Sequence, residues 1–260
     1  MNRLMKSFCY FFTVILIIGG MMSIAGSEEP VAKTTQEDLY TKAMTFKEDG
    51  NYDAAFEIFK KLASENPNDS KYEISYLDII LDQCITMKAL NNSAWMTKAK
   101  EVGGKIKTLY TKYARNAEYY LVYAKYSWLV EAKREAHITK ALGKSLYFKP
   151  KNPDAYILKG DIYLDQAKKA DSVEQHDEAL KGSSTTSRQS LAETAKTSYE
   201  SALKSPDISD RKKAYVYYKM GELESQIFGK KDIAKANWEK AAALAPDSKA
   251  GKSAREMLAK

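Results

Sequence analysis

Apolar residues along most of the chain recur three and four positions apart, which places them on one face of a helix. Residues 50–67 show this pattern: Ala55 is followed four places later by Phe59 and three further on by Leu62, and Pro67 closes the run. Because proline cannot continue a helix, this stretch predicts a turn, an amphipathic helix and a stop.

The same spacing returns further along the chain. The matching positions are Ala234, Trp238 and Ala241 before Pro246, then Ala195, Tyr199 and Ala202, and then Ile138, Leu142 and Ser145 before Pro150. Where the first position is alanine, as at Ala55, Ala195 and Ala234, this small residue allows a preceding helix to approach closely, and the aromatic residue four places later fills the space beside it. In two copies that preceding helix carries a glycine, Gly160 or Gly221, with a tyrosine four positions before it.

This arrangement resembles the tetratricopeptide repeat (TPR), a helix-turn-helix unit of about 34 residues. The resemblance implies an all-α fold, a TPR-type helix-turn-helix right-handed superhelical solenoid with four to five repeats and a C-terminal capping helix. The expected units are 36–69, a degenerate one at 70–118, 119–152, 153–206 with an insertion at 172–190, and 214–247, followed by the cap at 248–260. The alternative is a helical bundle in which the spacing arises by chance.

Two parts of the chain depart from the repeat pattern. The third unit carries Tyr126 where glycine or alanine is usual, and the second is recognisable only as two helices, Lys71 to Leu90 and Ala94 to Tyr113. Within the insertion, the Ser/Thr cluster at 183–187 is typical of a loop.

The N-terminus has the pattern of an export signal. Arg3 and Lys6 precede an apolar run at 8–18, and small residues follow up to Ala25. This pattern predicts a cleaved signal peptide at 1–25, a flexible start at 26–35, and a periplasmic or secreted protein. The alternative is an uncleaved membrane anchor at 8–25, which would then be the protein's only contact with a membrane.

Composition argues against several classes of function. The net charge is +7, but acidic and basic residues are interspersed, as on solvated helix faces, rather than clustered in a nucleic-acid footprint. Cys84 is the only cysteine after the signal segment, and the two histidines, His137 and His176, lie among charged residues without the short, fixed Cys and His spacing of a zinc site. We therefore expect no nucleic-acid partner, no metal, no cofactor and no catalytic residues, and hence no enzyme.

The resemblance also implies a binding surface, since the first helix of each TPR unit lines a concave groove. Carrying that register over gives the expected groove residues: Glu37, Tyr40, Tyr120, Tyr123, Asp161, Asp165, Tyr215, Tyr218 and Glu222, with Asp78 and Asp82 from the second unit. We expect Tyr120 and Tyr123 to face the groove, because Val122 and Tyr126 already supply core packing. A tyrosine-rich, partly acidic groove suits a segment that carries Lys or Arg among apolar residues.

Two functions follow as hypotheses. The first is an exported protein–protein interaction scaffold that binds a polypeptide segment in its concave groove. The alternative is a soluble accessory component of an envelope transport or secretion system that binds a small hydrophobic ligand between its helices. An apolar pocket closed at one end would favour the alternative, and an open groove would favour the scaffold.

Overall fold

A computed structural model describes residues 35–130, 135–174 and 184–260, and these contain eleven α-helices. Their bounds are α1 Gln36–Glu48, α2 Tyr52–Glu65, α3 Ser70–Ala89, α4 Ala94–Thr108, α5 Ala117–Val130, α6 Glu135–Phe148, α7 Pro153–Glu174, α8 Ser184–Leu203, α9 Asp210–Gln226, α10 Lys231–Leu244 and α11 Lys249–Leu258. The predicted signal peptide at 1–25 lies outside the described residues. None of the described helices is long and apolar enough to cross a bilayer.

The helices pack as five consecutive pairs followed by a final helix. Each odd-numbered helix from α1 to α9 packs against the even-numbered helix that follows it, and α11 packs on both α9 and α10. Residues Gln36–Lys260 together form one compact unit. The expected TPR-type solenoid of helix pairs with a capping helix is therefore confirmed.

The odd-numbered helices form the inner row of the solenoid. Helix α3 contacts α5, α5 contacts α7, and α7 contacts α9, whereas even-numbered helices contact mainly the odd helices next to them in the chain. Because the odd-numbered helices are more closely spaced than the even-numbered ones, the solenoid curves toward the odd-numbered row. Their free side is its concave face.

The turn chemistry explains two glycines that the repeats share. Gly50 and Gly229 have φ angles of 74° and 67°, a left-handed conformation that side chains disfavour, and each lies between the two helices of its unit. After Gly50, the Asn51 side chain accepts a hydrogen bond of 3.3 Å from the backbone N–H of Ala54, which caps α2. The first and last units therefore use the same glycine-dependent turn.

Close helix contacts occur where the sequence places small residues opposite rings. A methyl group added at Gly160 would overlap the ring of Tyr199, and one added at Gly221 would overlap the indole of Trp238. Tyr126 shows why the third unit departs from the pattern: its ring lies against Gly103 of α4. The close contact has moved from within a unit to the junction between α4 and α5.

Two boundary predictions are wrong. Helix α8 begins at Ser184, so most of the Ser/Thr cluster at 183–187 is helical rather than a loop. Hydroxyls further along α8 show how such a helix is tolerated, since Thr194 and Thr197 each donate to the carbonyl oxygen four residues earlier. Helix α4 ends at Thr108 rather than Tyr113, and the chain turns there while the Tyr113 ring remains buried.

Candidate functional site

Ion pairs join three inner helices on the concave face. The ammonium group of Lys47 on α1 pairs with Asp78 and lies 3.7 Å from Asp82, both on α3. From α5, Lys125 Nζ lies 2.5 Å from Asp78 Oδ1 and 2.7 Å from Asp82 Oδ1. We call these four residues the inner ion-pair cluster.

The inner ion-pair cluster is largely enclosed by other groups of the protein. Its side chains keep 12–24 % of their surface accessible, although other groups of the protein surround them. Burial alone would raise the pKa of Asp78, but Lys125 and Lys47 outweigh it and hold that pKa below its ordinary value. Burial would likewise lower the pKa of Lys47, yet Asp78 and Asp82 raise it. Asp78 and both lysines are therefore charged at neutral pH.

A second group of polar side chains lies further along the same face, on α7, α8 and α9. The carboxylate of Asp161 accepts hydrogen bonds from the hydroxyls of Tyr199, at 2.8 Å, and Tyr215, at 3.0 Å. Lys219 Nζ lies 2.7 Å from Glu222 Oε2. Burial raises the pKa of Asp161 above its ordinary value, and Lys219 and the two hydroxyls only partly oppose that shift. We call these five residues the Asp161 cluster.

A third group joins the first unit to the last. Arg211 at the start of α9 pairs with Asp49, which follows α1, and Lys212 Nζ lies 3.7 Å from Glu48 Oε1. Lys212 also lies 2.8 Å from Asp154 Oδ1 at the start of α7. We call these five residues the clasp. It brings the end of α1 across the concave face to the start of α9.

The expected groove residues fall into several environments. Asp161, Tyr215 and Glu222 come together in the Asp161 cluster, and the half-buried Tyr218 lies beside it, with Lys219 Nζ 5.6 Å from its ring centroid. Asp165 lies apart from this cluster, where it accepts a hydrogen bond of 3.3 Å from the Trp128 indole.

The expected members from the first unit lie at its edge. Exposed Glu37 pairs with Lys71 at 2.7 Å, and Lys71 Nζ also lies 3.8 Å from the Tyr40 ring centroid. The Tyr40 ring packs edge-on against Phe59 and Tyr72, with centroids 5.7 and 5.9 Å away. Tyr40 therefore contributes to the core of the first unit as well as to its surface.

The expectation that Tyr120 lies free in the groove is wrong. Its side chain is only 2 % exposed, its ring stacks on Phe148, and its hydroxyl donates to the Ala114 carbonyl at 2.9 Å. Helix α5 lies between neighbours on several sides, so Val122 and Tyr126 do not exhaust its core positions. Tyr123 is half-buried between the clusters formed by the second and third units and the third and fourth units.

Sequence reasoning missed the lysines of the concave face. Lys47, Lys125 and Lys219 all neutralise carboxylates that were expected to face a ligand. The signal that could have found them is an alternation of sign along the inner row. Lys47 on α1 and Lys125 on α5 are basic, and the Asp78 and Asp82 carboxylates that they contact lie on α3 between them.

The arrangement offers hydrogen bonding and charge recognition. In the described ranges, no three His, Cys, Asp or Glu side chains group as metal ligands would. Cys84 is buried, as expected of a small core residue, and burial raises the pKa of its thiol.

The fold is similar to a solved structure of a thermophilic TPR protein from Thermus thermophilus. The two share 18 % sequence identity with a TM-score of 0.51, and the match covers 86 % of this chain and 97 % of that one. No protein-family model and no curated protein sequence matches the chain. The similarity shows a TPR-type fold.

Proposed function

We propose that this protein is an exported scaffold that binds a polypeptide segment carrying Lys or Arg along its concave face. The observation that carries the proposal is that concave-face carboxylates receive ammonium groups from neighbouring helices, as Asp78, Asp82 and Glu222 do. Tyrosine rings lie beside these pairs, which suits the apolar stem and charged tip of a basic side chain.

A basic side chain of a partner could take the place of one of the protein's own lysines at these carboxylates. Lys47 comes from α1, the first helix of the described residues, and its ammonium group pairs with Asp78 and lies 3.7 Å from Asp82. A basic side chain of a partner that replaced Lys47 would leave the same number of ion pairs. The exchange would therefore avoid the large penalty of leaving a buried carboxylate without a partner.

The character of the concave face favours the scaffold over the hydrophobic-ligand hypothesis. A site for a small hydrophobic ligand is mostly apolar, with a few polar groups. The described concave face instead carries the inner ion-pair cluster, the Asp161 cluster and the clasp. Apolar side chains of the inner helices point mainly into the five core clusters between helices.

Binding can be tested by site-specific photo-crosslinking in the host cell. A photoreactive phenylalanine analogue at Tyr218 should crosslink a partner that mass spectrometry can identify, whereas the analogue at Ile233, on outer helix α10, should not. With the partner in hand, Asp82→Asn and Glu222→Gln should each weaken its affinity by about tenfold. Crosslinks from Ile233 alone would show that binding does not use the concave face.

Export rests on the N-terminal pattern of two basic residues, an apolar run and small residues. We expect mature protein recovered from the periplasm or medium to begin near Gly26 on N-terminal sequencing. A membrane-bound form that retains Met1 would favour the anchor alternative instead.

A further inference from the structure

Aromatic side chains form an exposed group where α4 and α6 end. Tyr147 is 79 % exposed, Tyr110 is 47 % exposed and Phe148 is 37 % exposed. The ring centroids of Tyr147 and Phe148 are 5.2 Å apart, and Phe148 stacks on the buried Tyr120, whose ring in turn contacts Tyr110. Large rings left in water together usually mark a contact surface.

Cations surround these rings. Lys144 Nζ donates hydrogen bonds of 3.1 Å to the hydroxyls of Tyr110 and Tyr120. Those hydrogen bonds and the charge of Lys144 lower the pKa of Tyr110. Lys140 lies about one helical turn before Lys144 on α6 and is exposed. We call Tyr110, Tyr147, Phe148, Lys140 and Lys144 the Tyr147 patch.

The neighbourhood of the Tyr147 patch is strongly biased toward positive charge. Segments 109–120 and 139–151 together contain six Lys or Arg residues, and Glu118 is their only carboxylate. Glu118 is already paired with Lys149 at 3.1 Å. Within the described residues, Lys140 and Lys151 are exposed and have no carboxylate within ion-pair distance. The partner of this surface must therefore be anionic.

The shape of the Tyr147 patch favours a planar, deformable partner over a peptide. A peptide anchor is normally held in a pocket that removes it from water, but with 79 % of its surface exposed, Tyr147 projects outward and has no such wall around it. Tyrosine rings suit the headgroup level of a bilayer, where one end is apolar and the other wet. Lysines beside them are attracted to anionic headgroups.

We propose that the Tyr147 patch docks the protein on an anionic phospholipid surface, with Tyr147 and Phe148 entering the headgroup layer and Lys140, Lys144 and Lys151 facing lipid phosphates. This contact is separate from the concave face and from the segment at 8–25. It departs from the sequence expectation that only an uncleaved signal segment would touch a membrane.

The test uses residues 35–260, because the described core clusters lie within the single compact unit Gln36–Lys260. Its co-sedimentation with vesicles of phosphatidylglycerol and phosphatidylcholine in equal parts is compared with that on pure phosphatidylcholine vesicles. We expect binding to the anionic vesicles that is at least about tenfold tighter. Equal binding to both, or no binding to either, would overturn the proposal.

Variants separate the charge from the rings. The double variant Lys140→Glu with Lys151→Glu should weaken binding to the anionic vesicles by more than about tenfold. The control Lys231→Glu with Lys235→Glu on α10 changes the net charge equally but should retain most of the binding to these vesicles. Tyr147→Ser, at a side chain no core cluster needs, should weaken binding by about threefold or more. Unchanged binding in Tyr147→Ser, or equal losses in both charge variants, would overturn docking through this patch.

A competing anion identifies the class of partner. Soluble poly-glutamate at a matched concentration of charge should displace the protein from the vesicles only weakly, because it offers no interfacial layer for the rings. If poly-glutamate bound the protein as tightly as the vesicles do, with the same dependence on Tyr147, the surface would be a site for an acidic polypeptide and the lipid proposal would be wrong.

Discussion

Arg211 and Asp49 form an ion pair although 162 residues separate them in the chain. The pair joins the turn after α1 to the first residues of α9, so the first and last helix pairs of the solenoid meet. The hydroxyl of Ser209 adds hydrogen bonds of 3.2 and 3.3 Å to the Glu48 carboxylate at the same place. An open solenoid has contacts only between neighbouring units, so the clasp gives this one cooperativity between its ends.

Reversing the charge of Arg211 should release the clasp. In Arg211→Glu, the new carboxylate would lie beside the carboxylates of Asp49 and Glu48, and these like charges would repel one another. We expect faster amide hydrogen exchange at residues 47–51 and a larger radius of gyration in small-angle X-ray scattering.

The control for this variant is Lys235→Glu, which reverses a charge on the exposed side of α10. It should change neither observable, and Arg211→Glu combined with Asp49→Arg should restore both. If the single Arg211 variant exchanges amides at the wild-type rate, the clasp does not hold the ends together.

The repeat positions predicted most of the fold because they are defined by local spacing. The positions of Ala55, Phe59 and Leu62 fix one helix face without reference to any other part of the chain, and all three are buried. Tyr126 was harder to interpret, because its partner Gly103 lies on a different unit. Spacing within one unit carries no information about such a contact.

The concave face could be predicted only in part from the sequence. Asp161, Tyr215 and Glu222, which the TPR register assigns to the groove, lie near one another in the structure. The register could not show that Lys47 reaches Asp78 and Asp82, because that contact depends on how tightly the solenoid curves. Tyr120 was misplaced for a related reason, since its burial by Phe148 depends on where α6 ends.

Two helical glycines should respond to alanine in opposite directions. Gly160→Ala places a methyl group against the Tyr199 ring, and overpacking of this kind destabilises by about 1–3 kcal/mol. Gly143→Ala has open space around its methyl group and should stabilise α6 by about 0.5–1 kcal/mol through helix propensity. Urea denaturation of the two variants and the wild type measures the change in the free energy of unfolding caused by each substitution. A similar free energy of unfolding for all three proteins would contradict the close packing of α7 on α8.

Tyr120 should behave as a core residue. Tyr120→Ala removes a buried ring that packs on Phe148 and should lower the free energy of unfolding by about 3–5 kcal/mol. Tyr120→Phe keeps the ring but loses the hydroxyl's bond to Ala114, at about 0.5–1.5 kcal/mol. The matched variant Tyr147→Ala, at an exposed ring, should stay within about 0.5 kcal/mol of the wild type. A stable Tyr120→Ala variant would mean that this ring is not needed by the core.

The concave-face carboxylates Asp78 and Asp161 should give opposite pH dependences of stability. The pKa of Asp78 is lower in the folded protein than in the unfolded chain, so its contribution is present above about pH 4 and is lost as the pH falls through the folded value. Asp78→Asn should therefore be less stable than the wild type at pH 7, by about 1–3 kcal/mol. The difference should shrink in acid.

Asp161 has the reverse sign, because its pKa is higher in the folded protein than in the unfolded chain. Its stabilising contribution is complete below about pH 4 and is lost as the pH rises through the folded value, since the buried side chain must then ionise. An asparagine there can still bond Tyr199 and Tyr215 but does not ionise, so the melting temperature of Asp161→Asn should gain on that of the wild type between pH 4 and pH 7. Thermal melts of both variants across this range provide the measurement. Parallel curves for Asp161→Asn and the wild type would show that Asp161 titrates as it does in water, and that the surrounding helices do not exclude solvent from it.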